Sequence, residues 1–183
     1  MQKMISPRPH ASPKRGVREV IQFAAGECSL GRVLVAATDE GICAIQLGDA
    51  PEPLVAALRH RFPKAELKSG GAGFERVLAE VIALVEEPKR AFDLPLHLRG
   101  TPFQQEVWDA LRSIPAGETR TYAEIAAKVG RPGAARAVAG AIAANGIAVA
   151  VPCHRVIGAG GALCGYRWGV DRKAALLTRE GAL

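Results

Sequence analysis

Residues 149–158 read Val149-Ala150-Val151-Pro152-Cys153-His154-Arg155-Val156-Ile157-Gly158, and the interpretation of the whole chain starts from them. The apolar run before Cys153 predicts a short buried strand. Pro152 predicts a turn at the end of that strand, because proline fixes its own φ and restricts the residue before it. Without a turn, Cys153 and His154 would point to opposite faces of a strand. The stretch therefore predicts a cysteine held on rigid support beside a cavity.

Cys153 is a candidate nucleophile. A cysteine reacts as its thiolate, and a base with cationic neighbours, here His154 and Arg155, favours that form. On residue types alone two other interpretations stay open, namely an inert buried thiol and a metal ligand. The four cysteines and four histidines show no Cys-x-x-Cys or His-x-x-x-His spacing, which disfavours the metal.

The motif Pro152-Cys153-His154-Arg155-Val156 resembles the acceptor-cysteine signature of the O6-alkylguanine-DNA alkyltransferases, or methylated-DNA–protein-cysteine methyltransferases. The resemblance covers almost everything after about residue 17 and is greatest to the C-terminal half of bacterial adaptive-response proteins of the Ada type. It runs in order through residues 28–32, 41–45, 99–105, 114–119, 136–138, 144–145 and 165–169. The chain departs from its nearest relatives at Ala116, Gly146 and Cys164.

The resemblance implies an α/β N-terminal ribonuclease-H-like domain and a mainly α C-terminal alkyltransferase domain with a winged-helix-like helix-turn-helix. We expect a basic flexible arm at 1–16, the scaffold domain at 17–92, a connector at 93–99, and the DNA-binding and alkyl-acceptor domain at 100–183. In the scaffold, apolar alternation predicts an antiparallel sheet, and helical spacing predicts two helices. The predicted strands are 17–24, 32–38 and 42–47, and the predicted helices are 53–62 and 74–86.

In the C-terminal part, Thr101 and Pro102 predict the start of a helix whose apolar face buries Trp108. Residues 122–129 and 134–144, separated by a glycine-containing turn, have the size of a helix-turn-helix. Asp171 is expected to cap the last helix. The glycine-rich segment 158–162 lacks nucleotide-binding spacing, so we interpret it as a loop that lets residues 163–168 close over a base.

The second helix of this pair carries small residues, among them Ala135, Ala137 and Gly140. Such side chains leave little with which to hydrogen-bond base edges, so major-groove reading is disfavoured. The resemblance implies entry into the minor groove, with Arg136 replacing a nucleotide rotated out of the stack and Tyr122 aiding that rotation. From the residues alone, Arg136 as a phosphate contact or solvated arginine, and Tyr122 as a partly buried aromatic residue, stay open.

The resemblance also implies the chemistry. An alkyl group on guanine O6, with O4-alkylthymine an open second substrate, passes irreversibly and once per molecule to Cys153, so the protein is a single-turnover DNA repair methyltransferase. His154 is the expected base, acting through water, with Glu180 orienting it and Asn145 tying its turn to the cysteine. The expected base pocket comprises the backbone carbonyls of Cys153 and Val156 and the side chains of Tyr166, Arg167 and Trp168. Trp168 stands where some relatives have glycine, so we expect it to narrow this pocket.

The expected partner is double-stranded DNA containing O6-alkylguanine, and a formal charge of +6 fits a polyanion. We expect no cofactor and no metal, since Thr38 and Cys43 stand where some relatives would place zinc ligands. No membrane-spanning run or signal peptide is visible, and four dispersed cysteines fit a reducing bacterial cytosol or nucleoid, with the protein a monomer. A lesion-recognition protein, a cysteine hydrolase on this fold, and an added sensor role stay open as alternatives.

Overall fold

The computed structural model describes residues 18–183, so the predicted arm at residues 1–16 lies outside the described part of the chain. The N-terminal half is built on a sheet of order β3-β2-β1-β4. Its strands are β1 (Val20–Cys28), β2 (Gly31–Thr38), β3 (Gly41–Gly48) and β4 (Glu66–Ser69). The three predicted strands are present and pair antiparallel, with a tight turn at Gly41, whose φ is 135°.

The fourth strand was not predicted, and it makes the sheet mixed. β4 runs parallel to β1, so the expectation of a purely antiparallel sheet is wrong. The strand escaped prediction because it has only four residues, Glu-Leu-Lys-Ser, and lies mostly exposed at the sheet edge. Charged side chains on such an edge discourage pairing with another chain, but they also hide the strand pattern.

Two helices cover opposite faces of this sheet. They are α1 (Pro51–Arg61) and α2 (Ala72–Glu86), close to the predicted spans. Because side chains alternate along a strand, Leu34 and Ala36 of β2 pack with the apolar residues of α1. Val33 and Val35 point the other way, into a core shared by α2 and the C-terminal helices. The sheet is therefore buried on both faces, and one of those faces supports the second half of the chain.

The C-terminal half is mainly helical. It contains α3 (Pro102–Arg112), α4 (Tyr122–Lys128), α5 (Ala135–Ala143) and α6 (Val170–Glu180), with a short parallel pairing of β5 (Arg120–Thr121) and β6 (Val156–Ile157). Thr101 caps α3 in a capping box with Gln104, as its side chain predicted. Trp108 is buried as predicted, and its Nε1 donates to the carbonyl of Ala141 at 2.9 Å.

The start of α6 differs from the prediction. Gly169, with φ of 99°, occupies the N-cap position and provides no side-chain hydrogen bond. Asp171 lies inside the first turn, exposed, so the prediction that it caps the helix is wrong. Its carboxylate still suits the positive end of the helix dipole.

None of the helices within residues 18–183 is long and apolar enough to span a bilayer.

The free edge of β3 joins the two halves. Near one end, the backbone amide of Ile42 donates to the carbonyl of Pro95 at 2.8 Å, and the backbone amide of His97 donates to the carbonyl of Ile42 at 2.8 Å. Further along, the backbone amide of Ile45 donates to the carbonyl of Gly146 at 3.0 Å, and the carbonyl of Ile45 accepts from the amide of Ala148 at 2.9 Å. The edge of the N-terminal sheet thus holds directly the segment that leads to Cys153.

Candidate active site

The segment before Cys153 is a turn, so the predicted buried strand there is wrong. Within it, Ile147 makes one isolated bridge to β3, and Val149 adopts a φ of 63°, which is rare for a β-branched residue. Strained backbone of this kind costs on the order of 1–3 kcal/mol and persists where the surroundings fix it. The apolar run is buried because it lies between the sheet and the helices. A run of this length does not distinguish a buried turn from a strand.

Asn145 supplies the hydrogen bonds that hold this turn. It is 1% exposed. Its Nδ2 donates to the carbonyls of Ile147 at 3.2 Å and Val151 at 3.1 Å, and its Oδ1 accepts from the Ile147 amide at 2.9 Å. The same Nδ2 lies 3.2 Å from the Sγ of Cys153. One buried amide therefore sets both the shape of the turn and the position of the thiol.

Cys153 opens a single 3-10 turn over Cys153–Arg155 and is 4% exposed. Burial raises the pKa of the Cys153 thiol to about 11, although the Asn145 hydrogen bond and the charge of Lys173 act in the opposite direction. The resting thiol is therefore protonated at neutral pH. The chemistry therefore needs a base at the moment of reaction, the role that the sequence analysis gave to His154.

His154 and Glu180 form a buried pair suited to that role. The His154 Nε2 lies 2.9 Å from Glu180 Oε1. Burial lowers the pKa of His154 despite its carboxylate partner, so the ring is neutral and its Nε2–H donates to Glu180. Burial acts to raise the pKa of Glu180, but hydrogen bonds from His154 and Arg155 outweigh it and lower that pKa to about 2. The imidazole thus keeps Nδ1 as a proton acceptor, and a permanent carboxylate fixes its tautomer.

Arg155 completes this network, although sequence reasoning treated it only as a cation near the thiol. Its Nε donates to Glu180 Oε2 at 2.9 Å, and its Nη2 donates to Oε1 at 2.8 Å. Its Nη1 donates to the carbonyl of Ile114 at 2.6 Å, just beyond α3. The guanidinium is buried and ties Glu180 to the rest of the core. An arginine inside a buried apolar stretch was the available signal.

Lys173 is a second group that sequence reasoning missed. It is fully buried, and its Nζ donates to the carbonyls of Val156 at 2.5 Å and Cys164 at 2.9 Å. The lysine therefore fixes the backbone on both sides of the glycine-rich loop 158–162. A signal was present, because Lys173 shares the buried face of α6 with Leu176 and Glu180 at helical spacing.

Two tyrosines, Tyr122 and Tyr166, lie near Cys153, and Trp168 packs against the second of them. The β5–β6 pairing places the start of α4 beside the strand that follows Cys153. There, burial and the nearby thiols of Cys164 and Cys153 raise the pKa of Tyr122. Tyr166 meets Trp168 edge-on, with ring centroids 5.2 Å apart. The Tyr166 hydroxyl is buried without a hydrogen-bond partner among the described residues, and burial, then the neighbouring Cys153, raises its pKa well above the ordinary value.

The remaining predicted residues lie on α5 or at its end. Arg136, Ala137 and Gly140 are exposed on one face, and Ala135 is half-buried at the start of the helix. Val138, Ala141 and Ile142 bury the opposite face. Arg167 is exposed, and its Nη1 donates to the carbonyl of Ala143 at 2.8 Å, so its guanidinium lies at the end of α5. The structure therefore forms two hydrogen-bonded groups, Asn145 with Cys153 and Glu180 with His154, which meet at the adjacent residues Cys153 and His154. Arg136 lies apart from them, on a surface of small residues.

The two positions considered for zinc have other partners. Thr38 Oγ1 lies 2.8 Å from His97 Nδ1, and Cys43 is buried with its Sγ 3.5 Å from the carbonyl of Ala36. Across residues 18–183, no group of three or more His, Cys, Asp or Glu side chains is arranged to hold a metal ion.

Comparison with known proteins identifies relatives of this chain. Residues 102–182 match the family described as 6-O-methylguanine DNA methyltransferase, DNA binding domain. Over 165 residues the chain is 48% identical to the bifunctional transcriptional activator/DNA repair enzyme Ada of Escherichia coli K12, a match that covers 90% of this chain and 47% of that protein. The chain thus spans about half the length of the curated relatives it matches.

Solved structures extend this likeness to the whole fold. The chain resembles the crystal structure of Mycobacterium tuberculosis O6-methylguanine methyltransferase with a TM-score of 0.71 and 38% identity, covering 88% of this chain and 93% of that one. It resembles Mycobacterium tuberculosis OGT in complex with DNA equally well, with a TM-score of 0.71 and 36% identity over 88% of this chain and 92% of that one. Both share the sheet-rich N-terminal part and the helical C-terminal part.

Proposed function

Because this chain belongs to the O6-methylguanine-DNA methyltransferase family, we propose that it repairs duplex DNA by moving a methyl or larger alkyl group from guanine O6 to Cys153. One observation carries the proposal. Within residues 18–183, two buried side-chain polar atoms make no hydrogen bond, His154 Nδ1 and the Tyr166 hydroxyl, and both belong to residues beside Cys153. An unpartnered buried polar group costs about 1–3 kcal/mol, so its retention at this site indicates use by a substrate or a moving proton.

The reaction begins with a proton transfer. The Cys153 thiol gives its proton to His154 Nδ1 through a water molecule, and Glu180 stabilises the resulting imidazolium. The thiolate then attacks the alkyl carbon, a sulfur–carbon bond forms, and the carbon–O6 bond breaks. The departing guanine accepts a proton, and the imidazolium gives one back through water, so the proton lost by the thiol is finally carried by guanine. His154 is then neutral again, and no oxidant or reductant is consumed. Because the product is a stable thioether, each molecule acts once.

The substrate base must leave the helix before it reaches the thiol. Unstacking a nucleotide costs on the order of a few kcal/mol. Arg136 projects from the exposed face of α5 and would offset part of that cost by filling the space left in the stack. The neighbouring Ala135, Ala137 and Gly140 let the helix approach the minor groove closely, and Tyr122 would help to rotate the nucleotide.

The flipped base would lie against the segment that Lys173 holds. The carbonyls of Cys153 and Val156 would accept from the guanine amino group, and the Lys173 hydrogen bond fixes the second of them. The Tyr166 hydroxyl would donate to the base, while Trp168 limits the size of the alkyl group and the charge of Arg167 lies near the thiol.

We also propose the division into parts that the sequence suggested. A ribonuclease-H-like scaffold at 17–92 and a connector at 93–99 would support a winged-helix-like DNA-binding and alkyl-acceptor domain at 100–183. The pairing of β3 with the segment before Cys153 supports a scaffolding role. The proposed setting is the bacterial cytosol or nucleoid, with double-stranded DNA as partner and the protein a monomer.

Intact-protein mass spectrometry tests this function. The protein is incubated with duplex DNA containing one O6-methylguanine, and the Cys153→Ala variant serves as control. We expect one added methyl group per molecule, mapped to Cys153 and missing in the variant. Binding without a mass change would instead indicate a lesion-recognition protein, and repeated turnover of thioester or amide substrates would indicate a cysteine hydrolase.

A further inference from the structure

Two arginines meet at the carboxyl-terminal end of α5. Arg61, the last residue of α1, donates from Nη1 to the carbonyl of Ala144 at 3.3 Å. Arg167 donates to the preceding carbonyl, that of Ala143, at 2.8 Å. Cations at this position complement the helix dipole and its free carbonyls, which explains why one of them is there. A second arginine from the other half of the chain is more than the helix end requires.

Arg61 has no anionic partner within residues 18–183. It is half-buried, and each guanidinium offers five N–H donors, of which the Ala144 carbonyl takes one. The ion pairs found among residues 18–183 include neither Arg61 nor Arg167. Burial lowers the pKa of Arg61, and the charges of Arg167 and Arg99 lower it further. The described part of the chain thus holds Arg61 and Arg167 at the same helix end, with no carboxylate paired to either.

A cavity opens beside these side chains. It has a volume of about 440 Å³ and is lined by Arg61, Phe62, Arg99, Gln104 and Ala144. Arg99 is already paired with Glu19 and lies over the Phe62 ring at 5.5 Å. The Arg61 guanidinium lies directly against Gly146, in the space that a Cβ at that position would occupy.

We propose that Arg61 and Arg167 form a binding site for one DNA phosphodiester at the end of α5, which extends the DNA-binding surface onto the N-terminal half. The proposal rests on the proposed function. Arg136 and Ala144 lie eight residues apart on α5, about 12 Å along the helix axis. With small exposed residues between them, a helix lying in the minor groove would bring cations to both of its ends. Phosphate matches the planar donors of arginine better than a single carbonyl does.

The salt dependence of DNA binding tests this site. Each phosphate contact contributes about 0.9 to the slope of log affinity against log salt concentration. We expect Arg61→Gln to make that slope shallower by about 0.9. Relative to equal affinity at 1 M salt, this change in slope corresponds to roughly eightfold weaker binding of an undamaged duplex at 0.1 M salt. Fluorescence anisotropy measures that affinity. Arg59→Gln, an exposed arginine on the same helix with the same change in charge, is the matched control and should leave the slope within experimental error.

A third variant separates phosphate binding from a structural role. Arg61→Lys keeps the cation and should retain most of the slope. An unchanged slope in Arg61→Gln, an equal change in Arg59→Gln, or an equal loss in Arg61→Lys and Arg61→Gln would overturn the proposal. Thermal midpoints show whether each variant is folded. If Arg61→Gln is unstable, Arg167→Gln removes the other cation of the site and should also make the slope shallower by about 0.9, and an unchanged slope in that variant would overturn the proposal. Failure of the wild-type chain to accept a methyl group would overturn the proposed function alone, because the salt slope does not depend on transfer.

Discussion

Replacing Glu180 by glutamine removes the charge at the centre of the buried network and should weaken the fold in a pH-dependent way. The pKa of this carboxyl is lowered from 4.5 to about 2 in the folded chain. Since one pKa unit corresponds to about 1.36 kcal/mol, the charged form contributes about 3 kcal/mol to folding at pH 7. The folded pKa is the lower one, so this contribution is complete above pH 4.5 and is lost as the pH falls towards 2.

The expected free energies follow from these two pKa values. At pH 7, Glu180→Gln should lower the free energy of unfolding by about 3 kcal/mol, because Arg155 stays buried without its carboxylate. At pH 3 the same substitution should cost about 1.5 kcal/mol, since the wild-type carboxyl is then mostly protonated in the unfolded chain and mostly ionised in the folded chain.

Urea unfolding at both pH values, followed by tryptophan fluorescence, measures this difference. Glu87→Gln, an exposed glutamate at the end of α2, is the control and should change the free energy by less than about 0.5 kcal/mol at either pH. A loss below about 1 kcal/mol at pH 7, or equal losses at pH 7 and pH 3, would refute the assignment of Glu180 as a buried, permanently charged partner of His154 and Arg155.

Other consequences concern the thiols, the pocket and the buried lysine. Because burial raises the pKa of Cys153 to about 11, iodoacetamide at pH 8 should modify the exposed Cys164 first, and Cys153 should become reactive only as the pH rises towards 11. Peptide mapping identifies the modified cysteine, and finding Cys153 modified first at pH 8 would contradict this expectation. In single-turnover assays on duplex DNA, Trp168→Gly should raise the transfer rate from O6-benzylguanine relative to that from O6-methylguanine. The same ratio of the two rates in the variant and the wild type would show that the indole does not narrow the pocket. Lys173→Met removes the hydrogen bonds to the Val156 and Cys164 carbonyls, so it should lower the free energy of unfolding by about 2–4 kcal/mol and slow methyl transfer. A variant that is as stable and as fast as the wild type would show that the lysine does not hold this segment.

Local signals in the sequence were sufficient for most of the secondary structure. Thr101 and Pro102 start α3 because a capping hydroxyl and a residue without an N–H suit the first turn wherever the helix lies. The strands β2 and β3 follow from apolar alternation, and the turn between them follows from Gly41, because glycine readily adopts the positive φ found there. The short edge strand β4 was missed because its four residues carry too little pattern.

The candidate site was predictable as a set of residues but not as a geometry. The resemblance around Cys153 assigned His154, Asn145 and Glu180 to it. In the structure Asn145 is hydrogen-bonded to Cys153, and Glu180 is hydrogen-bonded to the next residue, His154. The strand predicted before Cys153 failed, because burial of Val149 and Val151 arises from packing between the two halves and not from a sheet pattern. Asn145 and Glu180, the partners of Cys153 and His154, come from different elements that lie 35 residues apart along the chain (180 − 145), and only the fold brings both to the site.

By itself, the sequence determined which side chains could carry the chemistry, where most helices and strands form, and the small, exposed face of α5, because those properties depend on residue type and near neighbours. Only the tertiary structure decided that the resting thiol is protonated, that His154 is neutral, and that Arg155 and Lys173 hold the site from inside the core. The physical reason is burial. The charge state of a titratable group depends on its loss of water and on partners brought to it by folding, and neither is encoded in its neighbours along the chain.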